Sequence, residues 1–481
     1  MFFHQEKWIR LLICGIINDT LLGMKRGLYI EKIEKWNCSQ RRKPLILEGA
    51  RQVGKTWLMQ EFAKTHYENV VYARFDKNRT LRSVFDQDFD IDRIVESLEI
   101  LFHVKIIPGK TILLFDEIQA CRNALTSLKY FCEDRPDIPV IAAGSLLGLA
   151  YRDDHAEGEG GDSEEKTTGF PVGKVDRLPV FPMSFIEFLC AMGEDALADA
   201  IRHCSWTVTD GLRLKLEDWL KRYYVVGGMP ESVLVYSQTR SFDDVRSVQR
   251  NILRDYQDDI SKHAPKSDVA KIKMCLNSIP VQLAKENKKF QYSVVKPGGR
   301  SSQFQDPLEW LRAAGLVHAV KRAKVPLLPL DAYANCGFKV YLVDVGLLSA
   351  MSGLDGEIVL EGPRIFREFK GALTEQYVHQ QLVAEADIRP YYWGTDDSRA
   401  EMDFVYQMGS SVVPVEVKAE ENVKAKSLRF YVNRYRPACA VRVSMLPHNV
   451  QDVRTPEGVD YRLADIPLYG VSMLPQEVCK T

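Results

Sequence analysis

A glycine-rich segment near the N-terminus constrains the fold of this 481-residue chain more than any other feature. The segment satisfies the pattern G-x-x-x-x-G-K-[ST] with the residues Gly49, Ala50, Arg51, Gln52, Val53, Gly54, Lys55 and Thr56. An apolar, strand-like run at 45–47 precedes it, and a helix-like run at 57–62 follows. Glycines let such a loop wrap closely around a phosphate, so that its backbone N–H groups and the helix N-terminus point at the anion. The pattern therefore predicts a phosphate-binding loop between a buried strand and a helix.

A second motif agrees with the first. A buried, strand-like run at 112–115 ends in Asp116 and Glu117. The carboxyl end of a parallel strand lies beside the first strand-to-helix loop, where ligands bind in open α/β sheets. We predict that the ligand is ATP with Mg²⁺: Lys55 neutralises the β- and γ-phosphates, and Thr56 and Asp116 hold the metal ion. Glu117 then orients or polarises the attacking water.

Residues 24–182 alternate apolar strand-like runs with helical segments, which indicates a three-layer α/β domain with a parallel sheet. The predicted strands are Pro44–Leu47, Val70–Phe75, Thr111–Phe115, Val140–Ala143 and Leu178–Phe181. Ser145 follows the fourth strand, where a polar side chain can sense the γ-phosphate; a simple turn serine fits equally well. Residues 153–166 are rich in Gly, Asp and Glu and predict an acidic surface loop.

The remaining chain predicts three further segments. Residues 1–23 are an N-terminal extension whose apolar run is too short to span a membrane. Residues 183–335 are helical, with a winged-helix-like helix and strand near 307–317. Residues 336–481 are a C-terminal α/β domain. Within it we expect a helix at 366–385, strands at 391–394, 401–406 and 411–417, a helix at 426–435 and a strand at 438–443.

The net charge and the cysteine spacing argue against several classes of protein. The net charge is −1, so the chain has no global basic excess of the kind that coats nucleic acid. Its ten cysteines form no CxxC pair, which argues against a zinc site or a disulfide framework. We expect a cytoplasmic protein with reduced thiols and no membrane partner.

Four charged residues in the last third form a second candidate site. Glu416 and Lys418 lie two apart on one predicted strand and so face the same side. Asp403 on the preceding strand completes a carboxylate pair that could bind Mg²⁺, leaving the lysine to activate water. Glu375 lies on the long helix before them. The alternative is an ordinary solvent-facing strand, where such charged pairs are common.

Several segments together resemble AAA-type ATPases, and more closely a prokaryotic family that joins such a module to a C-terminal domain of unknown role. They are Arg42–Thr56, Asp116–Gln119, Ala143–Leu147 and Pro171–Gly173. The resemblance implies ATP binding and hydrolysis, and it makes an oligomer possible because AAA relatives often form rings. Many relatives have an arginine directly after the glycine that Gly173 matches. This chain has Lys174 instead and so departs from the pattern of a conventional arginine finger; Arg177 and Arg152 are the nearby alternatives.

The C-terminal pattern resembles the restriction-endonuclease-like fold of PD-(D/E)XK nucleases. The resemblance places Glu375, Asp403 and Glu416 at metal-binding positions, and Asp403, Glu416 and Lys418 at catalytic ones. The Pro-Asp dipeptide of that motif is absent, because Met402 precedes Asp403. We therefore expect an ATP-driven switch coupled to a domain that binds or cleaves DNA or RNA. The alternative is a non-catalytic, ATP-dependent protein whose C-terminal domain only docks a protein or DNA partner.

Overall fold

The structure is a computed structural model that describes residues 26–145, 147–149, 170–285, 288–354, 365–397, 399–419 and 426–479. The predicted extension at 1–23 and the predicted acidic loop at 153–166 lie outside these residues. The chain divides into two compact units. The N-terminal unit comprises Arg26–Phe181 and Gln305–Val317, and the C-terminal unit comprises Pro182–Phe304 and His318–Thr481.

The N-terminal unit is built on a five-stranded sheet in the order β2-β3-β4-β1-β5, and every paired strand in it is parallel. The strands are β1 (Leu45–Glu48), β2 (Asn69–Arg74), β3 (Thr111–Asp116), β4 (Val140–Ala143) and β5 (Asp176–Pro179). The helices are α1 (Gly27–Asn37), α2 (Lys55–His66), α3 (Arg79–Asp86), α4 (Ile91–Phe102) and α5 (Arg122–Asp134). The predicted parallel α/β sheet is confirmed.

Burial explains which strands the sequence predicts well. All six residues of β3 are buried, and so are all four of β4, because both strands lie inside the sheet. Strand β5 was predicted at 178–181, from its apolar run, but occupies Asp176–Pro179. Within the described residues, β5 is an edge strand that pairs with β1 alone and is only half buried. Polar residues can therefore belong to it, and the apolar run predicts the wrong bounds.

The first part of the C-terminal unit is helical. Its helices are α6 (Phe185–Ala191), α7 (Asp195–Arg202), α8 (Trp206–Gly211), α9 (Arg213–Val226), α10 (Pro230–Thr239), α11 (Phe242–His263), α12 (Val269–Ala284) and α13 (Tyr292–Val295). Helix α14 (Ser301–Ala313) follows, and its residues from Gln305 onward belong to the N-terminal unit. The predicted helix and strand of the winged-helix-like segment are thus present, and the winged-helix assignment stays a prediction.

A mixed eight-stranded sheet forms the rest of the C-terminal unit, in the order β12-β13-β11-β10-β9-β8-β6-β7. The strands are β6 (Val317–Ala323), β7 (Ala334–Leu342), β8 (Tyr391–Gly394), β9 (Glu401–Met408), β10 (Ser411–Val417), β11 (Cys439–Ser444), β12 (Asn449–Arg454) and β13 (Asp460–Pro467). The accompanying helices are α15 (Val345–Met351), α16 (Ile365–Ala384), α17 (Lys426–Tyr435) and α18 (Leu474–Cys479).

The predicted helices and strands between 366 and 443 agree with α16 to β11 to within about two residues, a normal uncertainty for element boundaries. The last two strands, β12 and β13, were not predicted. Strands β6 and β7 join the same sheet, so the sheet continues across the boundary predicted at 335/336. Within the described ranges, no helix combines the length and the apolar character that crossing a membrane requires.

Candidate functional site

The glycine-rich loop connects β1 to α2 at the carboxyl edge of the N-terminal sheet. Gly49 begins the loop with a φ of +142°, a backbone conformation that residues with a side chain rarely adopt. A Cβ atom at this position would also overlap the backbone carbonyl of Val180. Glycine is therefore required at position 49 both for the backbone conformation and for the close approach of the neighbouring chain.

Lys55, the first residue of α2, lies inside this loop. Its Nζ donates hydrogen bonds to the carbonyl oxygens of Gly49, at 2.9 Å, and Ala50, at 2.7 Å. Burial lowers the pKa of Lys55 to about 8, and the charges of Glu117 and Asp116 oppose that effect. A desolvated ammonium group at a helix N-terminus is suited to an anion such as a phosphate, as the sequence predicts.

Thr56 and Asp116 meet beside the lysine. The Thr56 hydroxyl donates to the Asp116 carboxylate, with oxygen–oxygen distances of 3.0 and 3.2 Å. The Tyr72 hydroxyl on β2 donates to Asp116 Oδ2 at 2.6 Å. Burial raises the pKa of Asp116, and the hydrogen bonds from Tyr72 and Thr56 oppose that rise. A hydroxyl and a carboxylate in contact offer the hard oxygen ligands that Mg²⁺ takes, so the residues fit the predicted ion.

Glu117 turns away from the sheet directly after β3, with a φ of +51°. Its Oε2 accepts hydrogen bonds from Gln119 Nε2, at 2.5 Å, and from Ser145 Oγ, at 3.1 Å. The structure therefore brings together Lys55, Thr56, Asp116, Glu117 and Ser145, and it places Ser145 against the glutamate. Sequence reasoning missed the parts that Tyr72 and Gln119 play.

Lys174, which stands where many relatives have an arginine, and the alternative Arg177 both have partners inside the N-terminal unit. Lys174 pairs with Glu133 at 2.8 Å, and Arg177 lies 3.5 Å from Glu48. Arg152 lies outside the described residues.

In the C-terminal unit, Glu375 is enclosed by cations. It lies on α16, almost completely buried, and its carboxylate accepts hydrogen bonds from Lys288, Lys339 and the Tyr341 hydroxyl. Lys339 also pairs with Glu401 at 2.6 Å. Burial alone would raise the pKa of Glu375, but the two lysines outweigh burial and lower it. The charge of this carboxylate is therefore already compensated within the fold.

Asp403 and Glu416 lie one residue beyond the last pair between β9 and β10, which is Phe404 with Val415. Asp403 Oδ2 accepts a hydrogen bond from the Val417 N–H at 2.8 Å. Burial, and then the charge of Glu375, raise the pKa of Asp403 well above its usual value. Lys418 Nζ lies 2.8 Å from Glu416 Oε1. The second oxygen, Glu416 Oε2, is buried without a hydrogen-bond partner.

The metal-binding role predicted for Glu375, Asp403 and Glu416 stays a prediction. Within the described ranges, no three or more His, Cys, Asp or Glu side chains are placed together so that they could hold a metal ion. The physical reason is visible at Glu375, where two lysine ammonium groups and a tyrosine hydroxyl occupy its oxygens. Asp403, Glu416 and Lys418 remain as neighbours on β9 and at the end of β10.

Comparison with known families agrees with the geometry of the N-terminal site. Residues 41–189 match a family model described as an AAA domain. This part of the chain is similar to AAA-type P-loop domains. Residues 217–357 and 370–459 match the models of two domains of unknown function, DUF8612 and DUF4143. The predicted AAA-type module is thereby confirmed, and the restriction-endonuclease-like fold of the C-terminal domain stays a prediction.

Individual relatives are distant. An uncharacterized protein of Methanocaldococcus jannaschii is 27% identical over 164 residues, which cover 33% of this chain and 30% of that protein. The match therefore spans less than a third of the curated relative. Among solved structures, the Walker-type ATPase of Pyrococcus abyssi is 14% identical with a TM-score of 0.42, covering 68% of this chain and 96% of that one. The Orc1 protein of Aeropyrum pernix, solved in complex with DNA, is 12% identical with a TM-score of 0.25, covering 69% and 91%.

Proposed function

We propose that the AAA-type domain binds Mg-ATP and hydrolyses it to ADP and phosphate. The convergence of Lys55, Thr56, Asp116 and Glu117 at the carboxyl edge of one parallel sheet carries this proposal. Lys55 and the backbone N–H groups of the loop bind the β- and γ-phosphates. Thr56 and Asp116 would hold Mg²⁺, which would supply positive charge to the phosphate oxygens.

Glu117 performs the proton transfer in this proposal. The water oxygen forms a bond to the γ-phosphorus, while the bond from that phosphorus to the β–γ bridging oxygen breaks. The water proton passes to the Glu117 carboxylate, and ADP leaves with the electron pair of the broken bond. Phosphate then carries the proton away, which restores the ionised glutamate.

Substitution of Lys55 tests the binding site. In Lys55→Ala we expect ATP affinity to fall by about 100-fold, because a desolvated cation no longer faces the phosphates. Lys64→Ala is the matched control, since Lys64 is exposed on the same helix. Isothermal titration with ATP measures the affinity, and circular dichroism checks that the variant folds. Unchanged affinity in folded Lys55→Ala would refute the assignment.

Substitution of Glu117 separates hydrolysis from binding. Glu117→Gln removes the proton acceptor but keeps the shape of the side chain. We expect it to bind ATP and to lose hydrolysis by about 10²- to 10⁴-fold, measured as phosphate release. Equal turnover in this variant would show that another group accepts the proton.

A second candidate function belongs to the C-terminal unit: cleavage of DNA or RNA with a divalent cation. The buried and unpartnered Glu416 Oε2, next to Asp403, favours it, because a buried carboxylate oxygen without a hydrogen bond is costly unless a cation takes it. Asp403 and Glu416 would hold the ion, which when bound polarises a phosphodiester. Lys418 would stabilise the developing negative charge. Glu375 has no part in this candidate, since its charge is already compensated.

Cleavage assays distinguish the candidate from a docking role. Single-stranded and duplex DNA and RNA are incubated with Mg²⁺ or Mn²⁺, and cleavage should vanish in Asp403→Asn and in Lys418→Met. Asp452→Asn, an exposed aspartate on β12, is the control. Cleavage that persists in both site variants contradicts the candidate. ATP-dependent binding without cleavage would instead support the non-catalytic interaction protein.

A further inference from the structure

The side-chain amide of Gln119 lies between the residues of the proposed ATPase centre. Gln119 belongs to a short 3-10 helix, Ile118–Ala120, that follows β3 directly. Its Nε2 donates to Glu117 Oε2 at 2.5 Å and lies 3.3 Å from Ser145 Oγ. The buried side chain of Ile118 packs in the core and so holds this short helix, and with it the backbone of Gln119, in place.

Chemistry decides which way the amide faces. An ionised carboxylate only accepts hydrogen bonds, so the NH₂ group of Gln119 must be the end that meets Glu117. The other end, Gln119 Oε1, is then buried with no hydrogen-bond partner. Leaving a buried acceptor unpaired costs free energy, and a hydrogen bond to a charged group is strong enough to offset that cost. The contact with Glu117 therefore determines the orientation of the amide.

The chain makes room for this amide at Gly144. A Cβ atom at this position, just after β4, would overlap Gln119 Oε1, and the next atom it would meet is Leu147 Cγ at 3.0 Å. The overlapping atom is the end of a flexible side chain rather than backbone. A larger residue at position 144 would therefore push the Gln119 amide aside and leave the backbone of the sheet in place.

We propose that Gln119 is a positioning residue for ATP hydrolysis, and that position 144 is a glycine because a side chain there would displace the Gln119 amide. Gln119 and Ser145 hold Oε2 of Glu117 with two hydrogen bonds, so the carboxylate cannot rotate freely. The second oxygen, Oε1, is the one that accepts the proton of the attacking water. Gln119 touches neither ATP nor water in this scheme, and it acts only through Glu117. The inference rests on the proposed ATPase function.

The experiment compares turnover with nucleotide affinity in three variants: Gln119→Ala, Gly144→Ala and the double substitution. In each variant we expect kcat to fall by about 10- to 100-fold, because the Glu117 carboxylate is no longer held in the position that catalysis needs. Affinity for a non-hydrolysable ATP analogue should stay within about twofold of the unmodified protein, because no phosphate contact is lost. A residue with only a structural role would not separate the two quantities in this way.

Coupling between the two positions is the sharper measurement. Gly144→Ala should act by displacing the Gln119 amide, so the double variant should be no slower than either single variant. The controls are Gln87→Ala, an exposed glutamine on the same unit, and Gly27→Ala, whose added Cβ meets nothing within 4 Å. Thermal unfolding of every variant checks that the fold persists.

Three results would overturn the inference. They are wild-type turnover in Gln119→Ala, a loss of analogue affinity as large as the loss of kcat, and independent, multiplying losses in the double variant. If the unmodified protein hydrolyses ATP, any of these three results leaves the proposed ATPase function intact. Absence of ATP hydrolysis by the unmodified protein overturns both proposals.

Discussion

Asp116 shares one carboxylate oxygen between two hydroxyl groups. Tyr72 donates to Oδ2 at 2.6 Å, and Thr56 donates to the same oxygen at 3.0 Å. Burial, and then the hydrogen bond to Asp116, raise the pKa of the Tyr72 phenol, so the tyrosine stays protonated and remains a donor. A donor that cannot ionise near neutral pH stabilises the charged form of Asp116, which is the form that a metal ion requires.

Removing this donor should weaken the proposed metal site. In Tyr72→Phe we expect the pKa of Asp116 to rise and the Mg²⁺ concentration at half-maximal ATP hydrolysis to increase. The increase should be about 10- to 100-fold, because a hydrogen bond to a charged group contributes roughly 1.5–3 kcal/mol. Turnover at saturating Mg²⁺ should change little, since the phenol touches no reacting atom. A titration of the ATPase rate with Mg²⁺ measures the midpoint.

The chain offers a matched control for that change. Tyr67, on the same unit, donates its hydroxyl to Asn37 Oδ1 at 2.6 Å, the same distance as the contact of Tyr72. Tyr67→Phe removes an equivalent hydrogen bond whose acceptor is not Asp116. Its Mg²⁺ midpoint should match that of the unmodified protein, and equal midpoints in both variants would contradict a role for Tyr72 at the metal site.

Elements of the N-terminal sheet were predictable because local pattern and burial agree there. Strands β3 and β4 lie inside the sheet and each contains four consecutive apolar residues, which suffice to identify them. The position of Lys55, Thr56, Asp116 and Glu117 at one edge follows from parallel pairing alone. The contacts of the Gln119 amide were not predictable, since they include a serine and a glycine that follow another strand.

The C-terminal unit shows which features local sequence does not predict. Strands β9 and β10, with Asp403 and Glu416 next to each other, were predicted from alternation and from a family resemblance. The compensation of Glu375 was not, because Lys339 lies 36 residues before it and Lys288 lies 87 residues before it. Strand β12 lies at the edge of the sheet and consists mostly of polar, exposed residues, so it has no apolar run from which it could be predicted. Long-range ion pairs and edge strands leave little trace in local sequence.

At the scale of the whole molecule, the N-terminal unit is completed by a segment far along the chain. Gln305–Val317 belongs to it, although the sequence-based boundaries assign this stretch to the middle region. Helix α14 ends there with hydrogen bonds from Leu316 N–H to the Leu311 carbonyl, at 3.0 Å, and from Gly315 N–H to the Arg312 carbonyl, at 2.9 Å. These bonds form a Schellman motif, which requires the positive φ of +72° found at Gly315.

Gly315 lies against the phosphate-binding loop. A Cβ atom placed on it would come within 3.0 Å of the backbone nitrogen of Ala50, closer than such contacts normally are. Gly353 provides a comparison in the C-terminal unit. It also follows a helix, with a φ of +67°, but an added Cβ there meets nothing within 4 Å. The two glycines share the same backbone requirement and differ in whether the loop is adjacent.

Alanine at these two positions therefore separates a general loss of stability from an effect on ATP. Both Gly315→Ala and Gly353→Ala force a residue with a side chain into the left-handed region, which costs about 1–2 kcal/mol of folding free energy. Only Gly315→Ala also pushes on Ala50, so only it should weaken ATP binding, by about 3- to 10-fold. Chemical denaturation measures the first quantity, and isothermal titration with ATP measures the second. Equal ATP affinity in the two variants would show that the distant segment stabilises the unit without shaping the loop.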